Sequence, residues 1–465
     1  MQHPGRLAAV PVLLTLALTA GAALAQPCTS DQIPDILVGD ISSIINYPTA
    51  GAEDAVGFGH TLCNVGNTTI QCSPAPALNH PILTQNLYRF QVIDGAGRFE
   101  QIGMGWVSHE FSMLSGTLCC TNCSPTAGLG PHCSSPTSAN IASTQGTMRP
   151  RFEVDAATAA FPSMSFPQPI SSTMDRRLRF LSADAPVPGA RYFAEKIVLA
   201  PDDGVRSDNV SNREVSVTVQ GSDRTFNLSG ATHRDQPAVL RWAELDPNVH
   251  VSSTDVPGDG RLWLLSRATP LLTGLWHYEY LLFNQDSHRS VGSLFIARVA
   301  NAGNPPDFLN PGFHDVSYHS GDGPGYVNYA ATDWSVTGPG DWRTEPAATN
   351  PGANAIRWAT AYNFRFDSSF PPAPTDSPVI LGLWLPGTPA QAVLSAVAPA
   401  RCNDIDFNND GLFPDTRDID DLLSSFAGGP CDPPCDTIDF NNDGLFPDTL
   451  DIEAFLSVFS GGPCP

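Results

Sequence analysis

Residues 214–220 read Glu-Val-Ser-Val-Thr-Val-Gln, so polar and apolar side chains alternate with a period of two. That period places successive side chains on opposite faces of a strand, and the Gly-Ser-Asp turn at 221–223 leads into a second run at 224–228. Further strands are predicted, with no helical stretch between them, at 276–283, 291–299, 355–366 and 379–385. We therefore expect a mainly β protein with a β-sandwich-like domain over 186–395.

The preceding region, 26–185, is rich in turns, and strands are predicted in it at 86–93 and 99–111. It contains seven cysteines: Cys28, Cys63, Cys72, Cys119, Cys120, Cys123 and Cys133. Because seven is odd, disulfides would leave one thiol over. A zinc site is the alternative, but an exported chain favours disulfides. Its ligands would be Cys120, Cys123, His132 and Cys133.

The N-terminus, 1–25, has the features of a secretory signal peptide. Arg6 precedes an apolar run, and Ala-Leu-Ala at 23–25 is a small-x-small cleavage site. Pro11 argues against the alternative of a membrane anchor, and no later stretch has the 18 apolar residues of a spanning helix. We expect a secreted protein, extracellular or at the cell surface, without a membrane span.

Composition narrows the class of partner. The 465 residues suggest two or three domains, and 39 Gly and 43 Pro favour short strands over long helices. The net charge is −23, and Lys196 is the only lysine. This balance excludes a nucleic-acid binder that neutralises phosphates and disfavours docking on anionic lipid.

More than half of the mature negative charge lies in a C-terminal repeat. Residues 402–464 contain 13 Asp, one Glu and one Arg, and the sequence of 405–416 recurs unchanged at 438–449. Each copy contains Asp-x-Asn-x-Asp-Gly, whose alternate oxygens can converge on a hard cation while the glycine allows a tight turn. A turn without metal is the alternative, but the duplication favours two Ca²⁺ sites.

Each predicted calcium loop differs from a standard EF-hand by one inserted residue. Pro414 and Arg417 occupy positions 9 and 12, where a ligand is expected, so we place the last ligands one residue later. The first predicted set is Asp406, Asn408, Asp410, Leu412 through its carbonyl, Asp415 and Asp418. The second set is Asp439, Asn441, Asp443, Leu445 through its carbonyl, Asp448 and Asp451.

A short helix is predicted after each loop. Apolar residues at i, i+3, i+4 and i+7 form one face of each helix: Ile419, Leu422, Leu423 and Phe426, then Ile452, Phe455, Leu456 and Phe459. Four cysteines flank the repeats and are expected to form disulfides. The simplest of three connectivities is Cys402–Cys431 with Cys435–Cys464.

These loop–helix repeats resemble the dockerin domain, and more closely the GC-type dockerin of secreted bacterial proteins, with its Gly-Gly-Pro-Cys endings. The resemblance covers 402–464 and implies two calcium ions and a docking role. The implied partner is a cohesin-like or cell-surface protein. The inserted residue and the cysteines depart from the dockerins that bind cohesins.

The body resembles a recurring β-domain of secreted bacterial proteins to which no activity is assigned. The resemblance rests on 276–284, 287–290 and 354–366. No GxSxG, HExxH, P-loop or GxGxxG stands in a suitable context. The most suggestive polar group could form a metal or acid–base site, although we favour a solvent-facing strand beside a loop. Its members are His277, Glu279, His314 and His319.

Two glycine-containing acidic segments, 202–204 and 258–260, are interpreted as turns rather than calcium sites. We expect a secreted binding or structural protein of unknown ligand, attached to a partner or surface through its C-terminal module. The alternative is a dockerin-tethered enzyme, either a polysaccharide hydrolase or a metal-dependent oxidoreductase. A hydrolase would need a cleft with two carboxylates about 5–10 Å apart. The lack of catalytic motifs makes the enzyme the less favoured alternative.

Overall fold

The computed structural model describes residues 28–29, 31–74, 77–162, 172–300, 308–373, 375–400, 402–403, 405–412, 415–431, 435–441 and 447–461. The predicted signal peptide lies outside these residues. Strands take up 40% of the chain and helices 12%, so the prediction of a mainly β fold is confirmed. Among the described helices, none combines the length and the apolar character needed to cross a membrane.

Twenty strands are present in the described residues. The first ten are β1 (Ile36–Asn46), β2 (Glu53–Asn64), β3 (Ile82–Ile93), β4 (Ala96–Met104), β5 (Ser108–His109), β6 (Ser134–Thr137), β7 (Leu178–Leu181), β8 (Arg191–Leu199), β9 (Val210–Gln220) and β10 (Asp223–Leu228). The others are β11 (His250–Asp255), β12 (Arg261–Pro270), β13 (Trp276–Asn284), β14 (Val291–Ile296), β15 (Leu309–His314), β16 (Ser335–Gly338), β17 (Asp341–Arg343), β18 (Thr360–Ser368), β19 (Ser377–Leu383) and β20 (Gln391–Ala396). The α-helices are α1 (Ala139–Thr144), α2 (Arg241–Leu245), α3 (Ala297–Ala300), α4 (Thr416–Phe426) and α5 (Thr449–Phe459).

The strands form three sheets. The first has the order β1-β2-β7-β4-β3-β8-β9-β10, with β5 on β3 and β6 on β2. The second has the order β11-β12-β13-β18-β15, and the third β16-β17-β14-β19-β20. The first sheet takes strands from both sides of residue 185, so that position is not a sheet boundary. The predicted division into domains stays a prediction.

The first sheet curls around a core of its own because β1 also packs alongside β8, β9 and β10. Strand β2 is buried at nearly every position, since both of its faces are covered. Apolar side chains from distant strands meet inside this sheet, among them Val38, Phe58, Leu87, Val198 and Phe226.

The second and third sheets pack face to face. Alternate residues of β18 direct Phe364 and Phe366 toward the third sheet, where the Trp342 ring lies 5.6 Å from the ring of Phe364. The hydroxyl of Tyr280 donates a 2.8 Å hydrogen bond to the carbonyl of Val397. The alternation along β13 and β18 thus supplies one face of a sandwich core.

The opposite face of β18 packs on the first sheet through polar groups. Asn363 Nδ2 donates to the carbonyl of Phe99 at 2.9 Å. Arg151 is fully buried between the two sheets, and its guanidinium donates to Asn86 Oδ1 and to the carbonyl of Ala359, both at 2.9 Å. Buried polar groups at this joint are hydrogen-bonded, as low-dielectric surroundings require.

The N-terminal cysteines form three disulfides: Cys28–Cys120, Cys63–Cys119 and Cys123–Cys133. Cys72 is the buried thiol left over, as the odd number predicts. The alternative zinc site is therefore wrong, because its three sulfurs are paired. His132 instead contacts the carbonyl of Thr29 at 3.0 Å.

Three predicted strands are shorter than expected. The run 99–111 breaks after Met104 because the N–H groups of Trp106 and Val107 donate to the carbonyls of Arg176 and Arg149 and no longer to β3. The run 291–299 ends at Ile296, where its pairing with the neighbouring strand stops and a helical turn begins. The run 355–366 begins only at Thr360, after Ala359 with φ of +58°.

Candidate functional site

Both predicted helices of the C-terminal repeat are present, and each begins with the same cap. Asp415 and Asp448 are the N-caps, and each accepts a hydrogen bond from the N–H two residues later. Asp418 and Asp451 accept from the N-cap N–H at 2.9 Å, which completes a capping box. These four predicted ligands thus also satisfy the first turn of each helix.

The two loops are joined by reciprocal backbone bonds. The N–H of Asn403 donates to the carbonyl of Phe440, and the N–H of Asp436 donates to the carbonyl of Phe407, both at 2.9 Å. The donors are 33 residues apart, as are the acceptors, so the repeats pair with approximate symmetry. The ring of Phe455 lies 5.0 Å from that of Phe440 in a small shared core.

The predicted helix faces need one correction. Leu422 and Phe455 are buried as expected, but Leu423 and Leu456 are 46% and 47% exposed. The reason is that phenylalanines of the loops, at positions 407 and 440, fill the centre of the module. The ligand pattern Asp-x-Asn-x-Asp-Gly assigns no role to these two phenylalanines.

The first loop closes around its leading carboxylate. The N–H groups of Asp410 and Gly411 donate to Asp406 at 3.1 and 3.0 Å. Asn408 Oδ1 also accepts from the N–H of Asp410, and Asp410 Oδ1 accepts from that of Leu412. Glycine at 411 is required here because its φ is +76°. The oxygens of positions 1, 3 and 5 therefore belong to one tight turn.

A buried aspartate on each helix ties the helix to its loop. Asp418 Oδ1 accepts from the N–H of Asn408 at 3.3 Å, and Asp451 Oδ1 accepts from the N–H of Asn441 at the same distance. Both carboxylates are fully buried in a module with one, exposed, arginine. Buried carboxylates are ordinarily paired or bound to a metal.

This donor set fits Ca²⁺, which binds six to eight hard oxygens in adaptable geometry. Asp406, Asn408, Asp410 and Asp418 could hold the first ion; Asp443 and Leu445 of the second set lie outside the described residues. In the described part of the module, no three first-loop carboxylates have oxygens within 4.8 Å of one another. Calcium binding at both loops stays a prediction.

The predicted pairing of the C-terminal cysteines is wrong. Cys431 bonds to Cys435, four residues away, and Cys402 is also disulfide-bonded. The two bonded cysteines belong to different repeats, since one ends the first repeat and the other begins the second. Cys464 lies outside the described residues. Asp421 is close to both sulfurs of the 431–435 pair, but paired sulfurs are not metal ligands.

In the body, the polar face of β13 is buried, and the interpretation as a solvent-facing strand is wrong. Glu279 is 1% exposed because this face packs on β4 of the first sheet. Glu279 accepts from Arg98 Nε at 3.0 Å and from Asn363 Nδ2 at 3.0 Å. His277 contacts Glu279 at 3.1 Å and Asp367 at 2.7 Å. Burial lowers the pKa of His277, but the two carboxylates outweigh it and the net pKa is raised.

The two other histidines of the predicted group separate. His314 pairs with Asn363 across β15 and β18, and it is Asn363 that donates to Glu279. His319 is buried elsewhere, and its backbone N–H donates to Asp322 Oδ2 at 2.6 Å. Burial, with the charges of two arginines, lowers the pKa of His319 well below its usual value. The four residues therefore do not form one site.

A second buried ionisable group was missed by sequence analysis. Lys196 is 1% exposed, and burial lowers its pKa to about 7. Its charge acts on Glu110 and on His60, whose Nε2 lies 3.3 Å from Glu110 Oε1. The only sequence signal was a single lysine inside an apolar strand. Its burial leaves Lys196 no route to a substrate in this conformation.

A polar cleft of about 550 Å³ lies beside the 255–261 turn. Asp286 lines it, and burial raises the pKa of Asp286 to about 6, with a contribution from the charge of Asp259. Asp259 accepts from the N–H of His288 at 2.9 Å, and Asp255 binds Arg261 through two bonds of 2.6 and 3.0 Å. These carboxylates thus also hold the surrounding turns.

No family model and no curated protein matches this chain. Solved structures of the exo-chitosanase CsxA of Amycolatopsis orientalis align with 74% of the chain at 10–11% identity and a TM-score of 0.16. A structure of the exo-β-D-glucosaminidase CsxA with a glucosamine-configured inhibitor aligns with 77% at 11% identity and the same TM-score. The chain spans only 25–26% of the length of those chains. A likeness this weak says nothing about function.

Proposed function

We propose that this protein is a secreted extracellular binding or structural protein, attached to a partner or surface by its C-terminal calcium-binding module. The observation that carries the proposal is the symmetric pairing of the two loops through Asn403, Phe407, Asp436 and Phe440. A disordered acidic tail would not bury a shared core. Three N-terminal disulfides accord with an extracellular location.

Calcium is assigned to the loops because their oxygens form a hard donor set and their charge is otherwise uncompensated. Binding two ions would cancel up to four of the thirteen net negative charges of 402–464. Ions at both loops would also brace two helices of 11 residues each, which are too short to be stable alone. The module would therefore be an anchor whose rigidity depends on calcium.

The test compares the wild-type chain with Asp406→Ala/Asp439→Ala in the native host. Calorimetric titration of chelator-treated protein should show the variant binding two ions fewer than the wild type. The variant should also move from the cell-surface fraction into the medium. The wild type should do the same when chelator is added. The matched control is Asp420→Ala, an exposed aspartate of α4 outside the loop. Equal calcium binding by all three proteins would contradict the proposal.

The alternative of a polysaccharide hydrolase rests on the cleft that contains Asp286. A buried carboxyl with a raised pKa beside a second carboxylate is the arrangement a general acid needs. If this alternative were right, the protein would release reducing sugar from a polysaccharide, and Asp286→Asn would abolish that release. Asp341→Asn, a partner of an exposed arginine, is the control. We expect no release by the wild type.

A further inference from the structure

Three segments of the chain meet at the beginning of β1. Asp203 Oδ1 accepts from the N–H of Ile36 at 3.2 Å, and the following N–H, at 204, donates to the carbonyl of residue 34 at 2.9 Å. Arg234 Nε donates to the carbonyl of Gly39 at 2.6 Å, which holds a third segment against the same strand. These three segments carry four aspartates, which we call the β1 acidic cluster: Asp35, Asp203, Asp208 and Asp235.

Like charges act on one another within the β1 acidic cluster. Burial raises the pKa of Asp35 to about 6 and that of Asp203 to about 7. Burial and the charges of the other three members raise the pKa of Asp208 to about 8. Burial also raises the pKa of Asp235 to about 6, although Arg234 lowers it. One arginine does not compensate four buried carboxylates.

An uncharged side chain gives a second, independent sign of a missing ligand. Asn209 is 1% exposed, and its Nδ2 donates to Asp203 Oδ2 at 2.7 Å, so the amide faces the β1 acidic cluster. Its Oδ1 has no hydrogen-bond partner among the described residues. Within the described part of the chain, Oδ1 of Asp235 and Oδ1 of Asp35 also have no hydrogen-bond partner. Asp35 is 2% exposed. Buried oxygens without donors are rare and are explained by an ion or water.

We propose a calcium site in the body of the protein, separate from the C-terminal loops and formed by side-chain oxygens of Asp35, Asp203, Asp208, Asp235 and Asn209. The ligand class follows from the donors, which are all carboxylate or amide oxygens. The ion would join the start of β1 to the 200–209 and 230–236 loops. The 202–204 segment is a turn, as predicted, but the turn also carries one of the ligands.

Binding must draw the oxygens closer together. No three members of the β1 acidic cluster have carboxylate oxygens within 4.8 Å of one another in the described structure. Separation is what like charges favour until a cation is present, and Ca²⁺ tolerates a site that adjusts on binding. The loops around β1 supply that adjustment, because Asp208 and Asp235 both lie outside the strands.

The experiment uses the full-length chain with the C-terminal loops inactivated by Asp406→Ala/Asp439→Ala. Calorimetric titration with CaCl₂ after chelator treatment should show one remaining ion per chain. Adding Asp35→Asn and Asp235→Asn should remove that ion, because both lost charges face it. In chelator, these substitutions should raise the melting temperature, since they relieve repulsion and remove no hydrogen bond of either side chain. A variant that failed to fold would melt lower, so the two cases are distinguishable.

The matched control is Asp202→Asn in the same background. Asp202 is in the same turn, but its carboxylate accepts from the N–H of Gln71, outside the β1 acidic cluster, and its charge is not among the causes that raise the pKa of the cluster's members. This control should keep the ion. No bound calcium in the loop-inactivated background, or an ion that survives Asp35→Asn with Asp235→Asn, would overturn the proposal. The C-terminal loops are tested separately by the difference between wild type and the loop-inactivated chain.

Discussion

At the scale of single residues, burial decides what an ionisable group can do. Lys196 is buried in β8, and the carboxylate of Glu110 does not offset its desolvation. The protein therefore tolerates the neutral amine better than the ammonium. Because the unfolded chain binds the proton more strongly, stability should rise with pH between about 7 and the usual lysine pKa of 10.5.

We predict that Lys196→Met stabilises the protein most at low pH. Below pH 7 the full penalty of the buried ammonium is present. Above pH 7 the folded lysine is neutral while the unfolded one is still protonated, and the penalty declines because removing the proton costs less as pH rises. Between pH 6 and pH 9 the advantage of the variant should shrink by roughly 2–3 kcal/mol. Urea unfolding of both proteins at both pH values measures this difference in the free energy of unfolding. The buried aspartates titrate in both proteins, so their effect cancels in the difference.

A stability difference between Lys196→Met and wild type that does not change with pH would contradict this prediction. Lys196→Arg is the matched control, because arginine keeps its charge over the whole range. It should destabilise the protein at both pH values without the pH-dependent change.

At the scale of elements, each helix of the C-terminal repeat begins with an N-cap aspartate that is also a predicted calcium ligand. Asp415 is both a predicted calcium ligand and the N-cap of α4. Its Oδ1 caps the helix, which leaves the second oxygen for an ion. The ligand pattern predicts this aspartate, but the capping box does not follow from the sequence, because the usual box has Glu or Gln at the third helical position.

We predict that Asp415→Asn and Asp415→Ala separate these two purposes. Asparagine caps a helix about as well as aspartate, so Asp415→Asn should keep the stability of the module in chelator while weakening calcium binding. Asp415→Ala should lose both the helix cap and calcium affinity, and the module should be about 1 kcal/mol less stable in chelator. Melting curves in chelator and in CaCl₂ measure the two effects. Similar behaviour of both variants in chelator would show that the cap contributes nothing.

At the scale of the whole molecule, a polar joint connects the first sheet to the sandwich. Arg151 is its centre, since its guanidinium donates to three separate segments of the chain, at Asn86, Gly105 and Ala359. The buried pair of Arg98 and Glu279 bridges the same two sheets. Neither contact follows from a local pattern, because each depends on how β18 and β13 face β3 and β4.

We predict that Arg151→Met destabilises the protein strongly. Methionine fills part of the volume but leaves the buried Oδ1 of Asn86 without its donor and removes one of the donors to the carbonyl of Ala359. Losses of about 3–5 kcal/mol are typical when one partner of a buried charged network is removed. Calorimetric melting measures the loss of stability. Arg343→Met is the control: its guanidinium is half exposed and pairs only locally, so a change within about 0.5 kcal/mol is expected. Equal effects of the two substitutions would contradict the role of the joint.

The sequence by itself determined the features that depend on short periods and on repeats. Alternation at 214–220 and 276–283 predicted strands, the odd cysteine count predicted one thiol left over, and the duplicated loops predicted the helices after them. These patterns are local, so neighbouring residues suffice to define them.

Only the tertiary structure decided which distant groups meet. It paired Cys431 with Cys435, buried the face of β13 that carries Glu279, and brought Asp35 to a turn 168 residues further along the chain. The physical reason is that the environment of a charge is set by the elements packed on it. The net charge of −23 that marks the sequence as acidic thus comes from aspartates of different kinds: solvated ones, helix caps and a buried cluster.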